Sequence, residues 1–599
     1  MNKIFKTVFN KKTGQWVAVQ ETASSHGTGG TVVCGGGVAA AHSLLNPLKP
    51  LHQALRAAFI VGALSWGGSL VAAPIGASIQ SGTASITQQG LLTTIQNSPN
   101  AIINWQSFNI SPAELVRFIQ QNANSAVLNR VVGSGGSELL GMLQSNGRVF
   151  VINGNGILIG PNARIDTAGF VASTLNIQDR DFLNGQYKFD KSGANSGKVV
   201  NQGQINTATG GTVALIGGSV ENSGAIVVDK GQVILAAGQS VTLSDINNPA
   251  ISYIVTASAN EVVNLGKILA NEGSVQLQGG AVSQSGQIRV DSANSGAGGQ
   301  VLINAIGGTA SVGGQVSANN SVGKGGKIVI TGAAVNLDDS AQITAVGNQG
   351  GGEAYVGGGV QGALLNINGQ QQANAQSTTV AKGAVIDVSA GNQGQGGHAV
   401  IWGDTAQVRG VLMARGGTNG GDGGLIETSG HVLDVNGAQI SASAPKGNGG
   451  EWLLDPYNLT ITAGANTNNT NASGVFTPTG DNSVVNVADI NAVLNNGTSV
   501  TLTTNGAGTN QPGNVVINGA IAKTGGTNAT LSVFANGTLT LNSSISSNVG
   551  ALGVNLTSAG NMALTTGANI TTNGGTVLLS APTVNMTNAT VNTSGGASP

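Results

Sequence analysis

Arg148-Val-Phe-Val-Ile-Asn-Gly-Asn-Gly-Ile-Leu-Ile-Gly160 is the stretch on which the reading of the fold turns. Val149, Val151, Ile157 and Ile159 alternate with other residues as half-buried strands do, and Asn153-Gly154-Asn155-Gly156 breaks the alternation with four residues suited to positive φ. The pattern predicts strand, tight turn, strand. Upstream, Asn104-Trp105-Gln106-Ser107-Phe108-Asn109-Ile110 puts two large rings into one short segment of a chain that is only 3% aromatic. Such a concentration predicts a cap or an early folding nucleus.

The chain has 599 residues, too many for one ordinary core, so it is either several domains or one element repeated. Composition decides between them. Gly accounts for 95 residues and charged residues for 8%, while Val, Ile, Leu, Ala, Asn, Ser and Thr fill most of the rest. So few charges do not make a disordered polyelectrolyte, and apolar residues scattered in twos and threes do not make amphipathic helices. Many short strands with Gly and Asn turns remain. A net charge of −1, with no basic run after the first residues, argues against nucleic-acid binding because nothing would displace phosphate counterions.

Beyond residue 195 a repeat is readable. Asn201-Gln-Gly-Gln-Ile205 recurs as Asn222-Ser-Gly-Ala-Ile226, Asn264-Leu-Gly-Lys-Ile268 and Gln284-Ser-Gly-Gln-Ile288, with Gly211-Thr-Val-Ala-Leu215, Gly231-Gln-Val-Ile-Leu235 and Gly273-Ser-Val-Gln-Leu277 between them. A step near twenty with two or three short strands in each is a solenoid signature. One coil cannot bury its own inward row; stacked coils bury a column of Val, Ile and Leu, and stability is then additive along the axis. The expected architecture is all-β, a right-handed parallel β-helix with an N-terminal cap, of about 25 coils and on the order of 120 Å. Leucine-rich repeats lack their consensus here, and Gly420-Gly-Asp-Gly-Gly424 reads as a glycine turn, not a calcium coil.

The first 73 residues read as a leader. Lys3, Lys6, Lys11 and Lys12 make a basic start, and an apolar run from Ala57 to Val71 ends in small residues at Leu70-Val-Ala-Ala73. Cys34, the single cysteine, falls inside it, so the mature chain would hold no disulfide, and would keep only His398 and His431 of its histidines. Met1-Asn-Lys-Ile-Phe-Lys-Thr-Val-Phe-Asn10 with Gly14-Gln-Trp-Val-Ala-Val19 resembles the extended signal-peptide region of very large Gram-negative exoproteins. From Ile75 to Ala250, Asn100–Ile110, Glu114–Ile119, Ala126–Val132, Asn146–Asn153 and Gly169–Thr174 follow in an order and spacing similar to the filamentous-haemagglutinin-type secretion domain of two-partner secretion exoproteins. That family's usual turn is Asn-Pro-Asn-Gly; here Gly154 stands at the second position, leaving φ free where Pro would fix it.

The resemblance implies four segments. Residues 1–73 would be the extended signal peptide, 74–310 the secretion domain, 311–455 a β-helical shaft with Gly-rich loops leaving it, and 456–599 an Asn/Thr-rich continuation, with Asp455-Pro456 at a seam. It also implies export through the periplasm, recognition by a cognate outer-membrane β-barrel transporter, and folding outside the cell. The secretion motif carried over is Asn153, Gly154, Asn155 and Gly156 with Asn104, Trp105, Phe108 and Asn109. Outside, the chain would act as an adhesin or haemagglutinin-like surface protein on a host or neighbouring-cell receptor or glycan, without cofactor, metal or, after signal cleavage, a transmembrane segment. The alternatives are haem or iron capture and a polysaccharide-active β-helical enzyme.

An enzyme would need paired carboxylates. Asp338-Asp339 would point to opposite faces of a strand, and Glu427 with His431 and Asp434, or Glu451 with Asp455, read more simply as solvated turns. No catalytic, cofactor or metal residues are assigned. The Asn-x-Ser/Thr triplets crowded after residue 455 are expected by chance in so Asn- and Thr-rich a segment, with glycosylation the alternative.

Overall fold

In the computed structural model the described residues are 5–10, 15–20 and 73–599, apart from 194–196, 246–250, 258, 368, 465–468, 473–474, 479–481, 506–510 and 596–599. The chain forms two units, Met1–Ser69 and Leu70–Pro599. In the first, Phe5–Asn10 pairs antiparallel with Gln15–Gln20; the apolar run expected from Ala57 to Val71 lies outside the described residues.

The second unit is a parallel β-helix. One face runs in unbroken parallel register from Ala101–Trp105 through Ala126–Val131, Arg148–Ile152, Gly169–Ser173, Thr212–Gly217, Gln232–Ala237, Ser274–Gly279, Gln300–Val312, Lys327–Leu337, Glu353–Val356, His398–Trp402, Leu425–Ser429, Glu451–Asp455, Ser499–Thr504, Ala529–Ala535 and Leu552–Ser558 to Val577–Ser580. Two further strands per turn close each coil, and a single apolar column fills the interior.

The five-residue repeat acquires a physical meaning position by position. Asn201, Asn222 and Asn264 are fully buried and stack as an amide ladder: Asn201 Nδ2 donates to Asn222 Oδ1 at 2.7 Å, Asn222 Nδ2 to Asn264 Oδ1 at 2.7 Å, and Asn264 Nδ2 to Gln284 Oε1 at 2.6 Å. Each amide so satisfies its neighbour in a place water does not reach. The central glycine sits where coils touch backbone to backbone; a Cβ at Gly224, Gly266 or Gly286 would collide with the carbonyl of Gly203, Gly224 or Gly266. The closing Ile205, Ile226, Ile268 and Ile288 are 0% exposed and form part of the column.

The coil step corrects the expected dimensions. Plain early coils take 20 to 22 residues, as Val127 to Val149 and Val213 to Val233; between Val275 and Trp452 the plain step is 26 or 27, as Val275 to Val301 to Ile328, and past Val500 it is 31 to Leu531 and then 23 to Val554 and Val577. Excursions lengthen others to between 42 and 48, as Val233 to Val275 and Trp452 to Val500. Among the described residues this face therefore holds seventeen rungs, not 25. At ordinary strand spacing it is about 80 Å long. The glycine clusters between 296 and 397 do not leave the shaft. They stack turn on turn, with bridges from Ala297 to Lys324, Asn320 to Gly347 and Gly347 to Ala390, and this extra corner is what lengthens the step. What leaves the shaft is a four-stranded antiparallel flap (Asn176–Ile177, Tyr187–Asp190, Ser240–Leu243, Ile251–Val255) and the hairpins Leu365–Ile367/Gln370–Gln372 and Asn469–Ala472/Val475–Pro478.

A seam follows Asp455-Pro456. Leu459–Thr462 pairs with Ser483–Asn486 on one side and Val515–Ile517 on the other, so a later strand enters the stack ahead of an earlier one. Immediately after it, helix Val487–Asn495 takes the level between strands Gln439–Ser441 and Ile521–Lys523: Asn496 Nδ2 donates to Ile440 O at 2.8 Å, and Ala522 N–H to Asn491 Oδ1 at 2.9 Å. Val487, Ile490, Val493 and Leu494 bury one helix face, and the Asn486 side chain caps it by accepting from Ala488 N–H.

Candidate functional site

The first rungs are closed by antiparallel strands, Ser78–Ser81 on Ala101–Trp105 and Ala84–Gln89 on Leu92–Asn97. Beneath this cap Trp105, Phe108 and Phe118 are buried together, Trp105 edge-on to Phe108 at 5.6 Å and Phe108 over Phe118 at 6.5 Å. Trp105 Nε1 donates to Asn129 Oδ1 at 3.0 Å, and Asn129 Nδ2 to Phe150 O at 3.1 Å. This polar thread fastens the first three rungs through their interior.

Asn153–Gly156 makes the expected turn, but its two flanking strands do not pair with each other. Arg148–Ile152 and Ile157–Ile159 belong to successive faces of one coil. Of the four turn residues only Gly156 takes positive φ, at 123°. Asn153 is fully buried; its Oδ1 accepts from Asn155 N–H, while its Nδ2 donates to Gly135 O and Ser137 Oγ, each at 3.0 Å. Asn155 Nδ2 donates to Gly133 O at 3.0 Å. From the other side Gly197 N–H donates to Gly154 O at 2.9 Å, so the turn is gripped by the coils before and after it.

Both sequence clusters converge on one loop that sequence reading passed over, residues 132–138. Val132 N–H donates to Trp105 O, Glu138 N–H to Asn109 Oδ1 at 2.8 Å, and the Asn153 and Asn155 amides hold Gly133, Gly135 and Ser137. Gly133-Ser-Gly-Gly136 was its signal. Asn104 takes another route, accepting from Arg130 Nη1 at 3.5 Å.

Arg148–Ile152 is not half-buried. Val149 and Val151 enter the central column, while Phe150 and Ile152 enter a second core roofed by the flap, where Phe150 meets Phe182 edge-on at 5.3 Å and stacks on Tyr187 at 5.8 Å. Arg130, 15% exposed, reaches from the second rung to the root of that flap. Its Nη1 pairs with Asp179 Oδ1 at 2.6 Å, its Nη2 donates to Ile177 O at 2.6 Å and its Nε to Asn176 Oδ1 at 3.0 Å.

The carboxylates lie elsewhere than expected. Asp338-Asp339 is in a turn beyond the strand that ends at Leu337, its Asp338 Oδ1 accepting from Ser340 and its Asp339 Oδ1 from Gly383 N–H. Glu427, Asp434 and Asp455 are on strands and buried, because their outward side chains are covered by neighbouring rungs and excursions. Asp434 pairs with Arg409 at 3.4 Å, Asp455 accepts from Thr503 and Asn505, and His431 pairs with Asp404 at 3.2 Å while stacking on Tyr457. Glu427 Oε1 accepts from Gln361 N–H at 2.6 Å, and its buried Oε2 lacks a well-formed hydrogen bond, with the Ser429 hydroxyl as its polar neighbour. Burial, the dominant cause, pushes this carboxyl up to about 7 against the opposing pull of the Gln361 bond. Among the described residues no group of three His, Cys, Asp or Glu side chains is placed to hold a metal ion, and no helix is long and apolar enough to cross a membrane.

The TPS secretion domain model matches residues 72–348, and the model of the extended signal peptide of type V secretion systems matches residues 1–49. The crystal structure of the HMW1 secretion domain from Haemophilus influenzae is similar at 41% identity and a TM-score of 0.59, covering 64% of this chain and 100% of that one. The chain belongs to the two-partner secretion exoproteins. Membership makes it a secreted protein, carried by its signal peptide into the periplasm and on to the cell surface or beyond. The family is defined by this export and not by catalysis. Two heme/hemopexin-binding proteins of Haemophilus influenzae match over shorter stretches, one 38% identical over 136 residues (22% of this chain) and one 35% identical over 112 residues (18%). The matched stretches span 15% and 12% of those relatives' lengths.

Proposed function

We propose that residues 74–310 are the export module of a surface adhesin, recognised by a cognate outer-membrane β-barrel transporter. The observation that carries the export half is the full-length likeness to the HMW1 secretion domain beneath a matching signal peptide. In this reading Asn153, Gly154, Asn155 and Gly156, with Asn104, Trp105, Phe108 and Asn109, form the secretion motif: Trp105, Asn109 and the four turn residues make backbone contacts that lock the first coils, Asn104 accepts from Arg130, and Phe108 fills the nucleus beneath the cap. Stacking of each coil on the last makes outward folding additive and gives transport a direction without a nucleotide. The rest of the shaft presents its excursions and outer faces to a receptor or glycan. Expression with and without the cognate transporter gene tests export: full-length chain in the medium only with the transporter supports it, and equal release without it refutes it. Adherence of cultured cells to immobilised protein tests the second half.

A second reading, capture of haem or an iron carrier, is favoured by the names of the two Haemophilus relatives. A Soret titration of the purified chain decides it: a saturable red-shifted band supports capture, and a spectrum equal to free haem excludes it.

A further inference from the structure

The Arg130 guanidinium meets four partners, and three of them come later in the chain. Asn104 precedes it by 26 residues, while Asn176 and Ile177 follow it by 46 and 47. Asp179 completes the fork, paired at 2.6 Å. A planar guanidinium meeting a carbonyl, an amide oxygen and a carboxylate in separate directions uses the donor geometry that lysine lacks. What it holds is the point where the chain leaves the fourth rung to begin the flap. The flap's remaining strands, Tyr187–Asp190, Ser240–Leu243 and Ile251–Val255, come later still and complete the apolar cluster that holds Phe150, Ile152, Leu128 and Ile102.

We propose that Arg130 is a positioning residue for export: it pins the flap's root to the second rung as soon as residues 176–179 emerge, and so locks the first rungs before the flap is complete. The inference rests on the transporter reading above and adds to it one residue and an order of events. In a chain emerging amino end first, three rungs with one apolar outer face still bare are prone to reopen. A charged clamp made locally, before residue 240 arrives, closes the interval in which the emerging segment would slip back. In the finished molecule the flap is also held by its own strand pairing and apolar core, so the clamp matters more to the path than to the end state.

The test compares export with stability in full-length chains co-expressed with the transporter. Asp179 is nearly half exposed, so Arg130→Gln leaves no unpaired buried charge; Asp179→Asn, in which the guanidinium keeps its acceptors on Asn104, Asn176 and Ile177, is examined beside it. Val554→Ala, a fully buried column position far along the shaft, supplies a control that destabilises without touching the clamp. Expected are a drop in secreted protein of about five-fold or more for Arg130→Gln and Asp179→Asn, no further drop in the double variant, and near wild-type export of Val554→Ala. Secretion of both clamp variants within about two-fold of wild type, while the wild type remains transporter-dependent, overturns the inference and leaves the transporter reading standing. An equal drop for Val554→Ala also overturns it, since general instability would then explain the loss. Transporter-independent export of the wild type refutes both.

Discussion

Glu427→Gln separates charge from shape at the most perturbed carboxyl of the shaft. The excursion carrying Gln361 lies over the outer face of the strand Leu425–Ser429, and Gln361 N–H meets Glu427 Oε1 at 2.6 Å. An amide keeps that acceptor and sets an N–H towards Ser429, whose hydroxyl can accept. The carboxyl's folded value of about 7 stands above its ordinary 4.5, so between these values the folded chain holds a proton that the unfolded chain has released. Stability is therefore full below about 4.5 and is lost as pH rises towards 7, by about 3 kcal/mol once ionisation is complete. The glutamine variant has no such loss. At pH 8 it is expected to protect the amides of 357–376 and 425–429 on the order of 100-fold better than wild type, and at pH 5 to differ by less than about 1 kcal/mol. Hydrogen exchange of both proteins at each pH reads this directly, because intrinsic rates cancel within a pH. Equal protection at pH 8, or an advantage just as large at pH 5, would refute the assignment of a buried, proton-holding carboxyl.

Other perturbations follow from the same geometry. Asn153→Asp with Asn155→Asp replaces donors by carboxylates facing the carbonyls of Gly133 and Gly135, costing about 3 kcal/mol or more; secreted protein should fall, and unchanged export in an immunoblot of the medium would remove the turn from the motif. Gly154→Pro should stabilise by about 0.4–1 kcal/mol, since φ there is outside the left-handed region and the nearest atom to an added Cβ is Thr174 O at 3.9 Å; a lower urea midpoint for the first coils would contradict this. Asn222→Ala strips the acceptor from Asn201 and the donor from Asn264, both fully buried, and should cost about 2–4 kcal/mol, seen as faster exchange around 201–204 and 264–267 with the coils beyond residue 500 unaffected.

The legible part of this molecule was the part that repeats. Asn-x-Gly-x-Ile recurs because each position answers the same demand in every coil, a ladder amide, a backbone contact and a column residue, so period and chemistry could be read together. Coil number could not, because a glycine cluster looks alike whether it leaves the shaft or adds a stacked corner; only the partner of Ala297 or Gly347 distinguishes them. Phe150 was read as the outward residue of a half-buried strand because its roof is supplied by strands arriving up to a hundred residues later. The helix Val487–Asn495 did leave a trace, an Asn cap, Asp489 in the first turn and apolar residues at 487, 490, 493 and 494, which the surrounding Asn/Thr alternation concealed. Buried charge left none. Lys523 is fully buried with its ammonium donating to the carbonyls of Gly525, Gly526 and Val549, and nothing in Ile521-Ala-Lys523 separates it from a surface lysine.

The distribution of polar contacts along the axis bears on how such a chain crosses a membrane. The first coils are joined to their neighbours by several kinds of contact at once: the Trp105–Asn129–Phe150 thread, the loop 132–138 held from both sides, and Arg130 on the flap root. From residue 200 onward most ties are to the adjacent coil, as in the amide ladder and the stacked glycine corners. A nucleus costly to form and cheap to extend has the logic of any cooperative linear assembly. In the export route proposed above such a nucleus would lie within the residues that match the secretion domain, so that commitment to fold and commitment to leave the cell would fall on one segment. Later coils then need only add to a template already outside, which lets the shaft vary its corners, excursions and seam without disturbing export.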